Sequence, residues 1–165
     1  MNRVLFLDID GVFIPARVYM MEGQTKPIVT TFCPSVVGMV NDICKVTGAK
    51  LVIHSSWLRS SLQFMALFND GDEPSTHEWM IKQGLKAEYF HEDHSAKWRF
   101  SGTRWLAIQE WLDHHPDVTD YFILEDEPVD YHYRDIYKDR AITTQFEEGL
   151  TYANYTRILE EWGSS

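Results

Sequence analysis

Three short apolar runs in this chain each end in side chains able to do chemistry. VLFL leads into Asp8-Ile9-Asp10 and then Gly11, LVI into His54-Ser55-Ser56, and YFIL into Glu125-Asp126-Glu127. Short continuous apolar runs are the mark of strands buried on both faces of a parallel sheet. Ligands of such sheets bind beyond the carboxyl ends of the strands. If the three strands run parallel, four or five acids crowd one edge, which is costly unless a cation enters. Hard Mg2+ takes one or two carboxylates plus waters and phosphate oxygens. The expected chemistry is therefore a metal and a phosphate held between paired acids. Each piece alone has a plainer role: D-x-D as a solvated turn, the serines as partners of backbone groups, EDE as the acidic start of a helix. Their order and combination carry the functional reading.

The elements that must position these groups can be read along the chain. Pro34 suits the first turn of a helix with Val36, Val37, Val40, Ile43 and Cys44 at helical spacing and Gly48 as its stop. A strand is expected from Lys50 to about His54 and a helix from about Leu58 to Phe68. His77–Gln83 reads as a short helix or turn, Ala87–Phe90 as a strand, and HEDHSAKWRFSG as a loop. Thr103–His114 places Trp105, Ile108, Trp111 and Leu112 on one helical face. YFILEDE follows as a strand, then a weaker one near Arg140–Thr143, and Thr151 caps a last helix carrying Tyr155, Ile158, Leu159 and Trp162. Alternating strands and helices give an α/β fold around a mostly parallel sheet. The irregular stretch 13–32 reads as a hairpin-like flap, and 69–102 as a loop region covering the site.

Bulk properties narrow the function classes. At 165 residues the chain is expected to form a single domain spanning 1–165, with a core large enough to need no staples. A formal net charge of −10 disfavours a broad, salt-driven grip on nucleic acid, though not a phosphorylated small molecule whose charge a bound cation offsets. Two cysteines without metal-type spacing point to a reducing, cytoplasmic setting. No secretory leader is expected, and no run approaches the ~20 apolar residues that cross a bilayer.

The ordered set of motifs resembles the haloacid dehalogenase (HAD) superfamily, whose first motif is an apolar strand followed by D-x-D-G-[TV]. LDIDGV matches it in full. LVIHS resembles the second motif, placing Ser55, with Ser56 as the fallback, at the strand end. ILEDEPVD resembles the fourth, as Glu125-Asp126 or as Asp126 and Asp130. For the third, a basic residue near a helix start, Arg104 in RWLAIQEWL and Lys97 compete. EWL at 110–112 and GLT at 149–151 look most like small, minimally capped members related to the HAD domain of RNA-repair proteins. Glu125 stands where that pattern more often has Asp.

The resemblance implies a Rossmann-like three-layer sandwich with a short flap and no large cap domain. It implies that Asp8 is a nucleophile forming an aspartyl-phosphate and Asp10 the general acid and base. Gly11 would let the backbone turn beside the phosphate. Asp126 would hold Mg2+ together with the Asp8 carboxylate and the Asp10 carbonyl, supported by Glu125 and Asp130. Ser55 would hold a phosphoryl oxygen, with Ser56 beside it, and Arg104 or Lys97 would neutralise the charge. The implied activity is a Mg2+-dependent phosphohydrolase acting on a phosphomonoester such as a nucleotide. Two alternatives stay open. One is a phosphatase of nucleic-acid ends working with repair partners, using a basic face of Lys82, Lys86, Lys97, Arg99 and Arg104. The other is a non-catalytic binding protein of the same fold. Rings of the 69–102 region (His77, Trp79, Tyr89, His91, His94, Trp98) are candidates to stack on a base.

Overall fold

In a computed structural model, residues 1–15, 31–55, 75–96 and 103–163 are described. The first apolar run becomes β1 (Asn2–Leu7), buried from Arg3 onward. Helix α1 (Pro34–Thr47) starts on its proline and stops at Gly48, whose φ of 73° lets its N–H bond back to Cys44 O. Strand β2 (Lys50–Ile53) follows. Helix α2 (Thr76–Lys82) begins with a capping box, the Ser75 hydroxyl and the Glu78 carboxylate each taking the other's backbone N–H. Beyond it lie β3 (Phe90–Ser95), α3 (Arg104–His114), β4 (Val118–Glu125), α4 (Arg134–Tyr137), β5 (Ala141–Thr143) and α5 (Tyr152–Gly163).

The five strands pair in the order β3-β2-β1-β4-β5, every neighbouring pair parallel. Successive strands run one way from the centre and then the other, so the order reverses at β1 beside β4. In such sheets that reversal opens a crevice at the carboxyl ends. Alternation of side chains then divides the core in two. Leu5, Leu7, Leu51, Ile53, Phe122 and Leu124 meet α1, α2 and α5 on one face. Val4, Phe6, Val52 and Ile123 meet Trp105, Ile108 and Trp111 of α3, with Tyr137, on the other. The result is the expected α/β three-layer sandwich. Among the described residues no helix is long and apolar enough to cross a membrane.

One stretch corrects the sequence reading. Ala87–Tyr89 is a turn of 3-10 helix, and the strand lies later, at Phe90–Ser95, inside what reads as a loop. Among the described residues β3 is an edge strand bonded only to β2, so FHEDHS buries Phe90 and leaves its acids in solvent. Such an edge carries little apolar signal, and its charges discourage pairing with another chain. The described part of 69–102 is thus largely α2 and β3 rather than loop. The 13–32 insertion closes at its base, where Phe13 stacks on Phe32 at 4.7 Å and Cys33 N–H bonds to Phe13 O at 2.9 Å. Its interior and the helix expected at 58–68 lie outside the described residues.

Helix α5 is pinned to the sheet by Trp162, 1% exposed, whose ring meets Phe122 at 4.9 Å and whose indole N–H donates to Asp120 at 2.9 Å. Trp162→Ala should lower the unfolding free energy by about 3–5 kcal/mol in urea titration, since it leaves a large cavity and takes one donor from Asp120, which keeps Arg140 at 3.0 Å.

Candidate active site

The register sets what meets at the carboxyl edge. Leu7 pairs with both Ile53 and Leu124, so the next residues, Asp8, His54 and Glu125, stand abreast. Backbone bonds carry the ladder one step further, Asp8 N to Leu124 O and His54 N to Leu7 O, both 3.0 Å. Phe6, Val52 and Ile123 face α3, and two residues on, so do these three polar side chains. All three are buried: Asp8 is 2% exposed, His54 and Glu125 0%.

Arg104, at the start of α3, closes the group. Its Nη1 lies 2.6 Å from Glu125 Oε1 and 3.4 Å from Asp8 Oδ2, and Nη2 is 3.7 Å from Glu127. Glu125 Oε1 also accepts the N–H groups of Asp126 and Glu127 at 3.1 and 3.2 Å. On its other side Oε2 lies 3.7 Å from His54 Nδ1, while His54 Nε2 faces Leu124 O at 3.3 Å and so carries the proton there. As two ionised carboxylates, Asp8 and Glu125 leave Asp8 Oδ1 and Glu125 Oε2 buried without a donor.

The electrostatics follow from this crowding. Burial above all, then repulsion by Glu125, holds the Asp8 carboxyl well above its usual range. Burial likewise raises Glu125 to about 7 despite the pull of Arg104. His54 is pushed down to about 4 by burial and is neutral at pH 7. Burial opposes the charge of Arg104, but Glu125, Asp8 and Glu127 more than restore it. A proton shared by the acids or a cation among them relieves the repulsion.

Asp126 completes an acidic group: Asp8, Glu125 and Asp126 each bring a carboxylate oxygen within 4.8 Å of the others. Asp126 sits over Gly11, where a Cβ would come 2.5 Å from its own Cβ and Oδ2. Gly11 has φ +68° and belongs to a tight loop in which the N–H groups of Val12, Phe13 and Ile14 converge on Ile9 O. The Thr144 hydroxyl, buried after β5, holds the Gly11 carbonyl at 2.7 Å. Three carboxylates with two orphaned oxygens are an all-oxygen donor set that fits a hard divalent ion. Asp10, half-buried, occupies the same loop next to Gly11, and Ser55, 1% exposed, follows His54 at the end of β2.

The expected residues therefore assemble: Asp8, Asp10, Gly11, Ser55, Arg104 and Asp126 share one edge. Ser56 and Lys97 lie outside the described residues; Arg104 is in contact with Asp8. The Asp130 carboxylate caps a 3-10 turn, accepting the His132 N–H at 2.9 Å. Glu125, expected as support, is the most deeply enclosed acid of the group. The sequence sets His54 among the polar strand ends without giving it a role; the strand register puts it against Glu125. The rings expected to stack on a base are largely engaged: Trp79 is buried against Phe32, His77 stacks on His94 at 3.9 Å, and His91 packs on Trp111. Trp98 lies outside the described residues. Lys82 and Lys86 precede β3, at the amino end of the sheet, so they do not join Arg104 in a basic face.

A family model described as "HAD domain in Swiss Army Knife RNA repair proteins" matches residues 4–155. No curated protein and no solved structure matches the chain.

Glu125 and Asp8 bind a proton more tightly folded than unfolded, so their contribution to stability falls as pH rises from the unfolded carboxylate value towards 7. His54, with its pKa lowered, acts oppositely between about 4 and 6.5. Urea titrations in a chelator should show Glu125→Gln gaining stability relative to the parent as pH goes from 5 to 7.5. A difference that stays flat with pH would contradict a proton held at Glu125.

Proposed function

We propose that this chain, which belongs to the family of HAD domains found in Swiss Army Knife RNA repair proteins, is a Mg2+-dependent phosphohydrolase acting on a phosphomonoester of a nucleotide. We read residues 1–165 as one domain, and its two cysteines, Cys33 and Cys44, without a disulfide framework, suit a reducing, cytoplasmic setting. The observation that carries the reading is the buried acidic group of Asp8, Glu125 and Asp126 with Arg104 against it. Its acids differ in environment, as a division of labour demands.

Asp8 attacks phosphorus, forming an acyl-phosphate bond as the bond to the leaving oxygen breaks. Asp10, half-exposed in the loop beyond β1, gives its proton to that oxygen. In the second half Asp10 takes a proton from water as the water attacks phosphorus, which returns Asp8 and frees inorganic phosphate. The Ser55 hydroxyl donates to a phosphoryl oxygen. Arg104, already on Asp8, offsets the charge gathering between Asp8 and the phosphate. Glu125 keeps Arg104 in place through its 2.6 Å contact. Asp8, the Asp10 carbonyl and Asp126 would hold Mg2+, which supplies positive charge that keeps Asp8 ionised and neutralises phosphate oxygens.

The family description favours a second reading, removal of a phosphate from a nucleic-acid end in concert with repair partners. Comparing rates on mononucleotides with those on 3′- and 5′-phosphorylated oligomers separates the two.

Asp8→Asn should lower phosphate release from a generic phosphate ester by at least roughly 10³-fold while thermal melting stays within a few degrees, and unchanged turnover in that variant would refute the nucleophile. Mg2+ should raise the melting temperature of the parent more at pH 7.5 than at pH 5, because ligand carboxylates must shed protons. Gly11→Ala, which drives a methyl into Asp126, should erase most of that Mg2+-dependent rise.

A further inference from the structure

Among the described residues the exposed phenol and phenyl rings are Tyr131, Phe146 and Tyr152. All three lie on segments that follow β4 or β5, on the side of the sheet that carries Asp8. Those segments are tied to the site. Asp126, five residues before Tyr131, covers Gly11; Thr144, two before Phe146, holds the Gly11 carbonyl; and Leu150 N–H, two before Tyr152, bonds to Val12 O at 3.1 Å. The other described rings of these types are at least half-buried.

Tyr131 is the most exposed of the three at 78%. Its turn is anchored: Asp130 caps it, and Val129 and Tyr133 on either side pack against the α3 face of the core. The Arg134 guanidinium lies over its ring, 5.9 Å from the centroid, and His132 meets it edge-on at 5.8 Å. A rigid turn thus presents a ring backed by a cation, with its surface in solvent on the carboxyl side of the sheet, the side that carries Asp8. A flat heteroaromatic ring is the ligand chemistry this suits, since stacking tolerates any base.

Charge around the ring limits how much of a strand can follow. Glu127, Asp135, Glu147 and Glu148 are exposed on the same two segments, against Arg134. Further phosphates passing over this face would be repelled. We propose that Tyr131 determines specificity by stacking on the base of the nucleotide whose phosphoryl group occupies Asp8, with recognition one nucleotide deep. This rests on the phosphohydrolase reading above.

The test compares kcat/KM, with Mg2+, for adenosine 5′- and 3′-monophosphate, base-free ribose 5-phosphate and a phosphorylated RNA oligomer, in the parent, Tyr131→Ala and Tyr131→Phe. The parent should prefer the better mononucleotide over ribose 5-phosphate by about tenfold or more, the size expected of one stacked base. Tyr131→Ala should abolish that preference, mainly through KM, and leave ribose 5-phosphate unchanged; Tyr131→Phe should keep it. A preference that survives Tyr131→Ala, or equal losses on both substrates, overturns the stacking role and leaves the phosphohydrolase standing. Much faster, steeply salt-dependent turnover of the oligomer overturns the one-nucleotide limit. If the parent releases phosphate from none of them, the underlying reading fails as well.

Discussion

Asp8 and Glu125 are like charges forced together out of water, and the rest of the site is arranged around that constraint. Parallel pairing of β1 with β4 puts them on adjacent positions of the same face, so neither can move off without breaking the ladder. In a buried setting their repulsion is much stronger than in solvent. Arg104 touches both, yet one guanidinium does not balance three carboxylates counting Asp126. The remaining deficit is met by protons, which the raised Asp8 and Glu125 reflect, or by a cation. A fold that holds such a group keeps a place where positive charge is welcome, and a phosphate can follow that charge in.

The duties proposed for the two aspartates suit this constraint. Asp8 is rigid, buried and next to Arg104, which suits an atom that must attack from one direction. Asp10 sits in a loop that turns on Gly11 and is partly open to water, which suits a group that exchanges protons with solvent and with a leaving oxygen. The loop is itself fixed, by Asp126 above Gly11 and by Thr144 on its carbonyl. Pieces from the ends of β1, β2, β4 and β5 and the start of α3 thus converge on a few ångströms of space.

Glu125 shows how a departure from a commoner residue is absorbed. Its longer arm spans from Arg104 on one side to His54 on the other while taking two backbone N–H groups. It serves as a hub between α3, β2 and β4. His54, neutral at pH 7 and facing the Leu124 carbonyl, lies on the side of the hub opposite Arg104.

Much of the fold was legible because burial leaves periodic traces. The apolar runs of β1, β2 and β4 and the helical faces of α1, α3 and α5 could each be read locally, as could Pro34 in the first turn of α1, its stop at Gly48 and the cap at Thr151. β3 escaped notice because an edge strand half in water has no such trace. Of the site, LDIDG pointed to Asp8, Asp10 and Gly11 through its order with the other strand-end motifs and its resemblance to the HAD pattern. Three things belonged to tertiary structure: the contact of Arg104 with Asp8, the place of His54 beside Glu125, and the exposure of Tyr131. Register and packing decide which distant side chains meet, and neither is written in the spacing of residues along one segment. The sequence by itself determined which residue types end each strand. Only the pairing of β1 with β2 and β4 decided that they share one rung, because lateral hydrogen bonds set relative height.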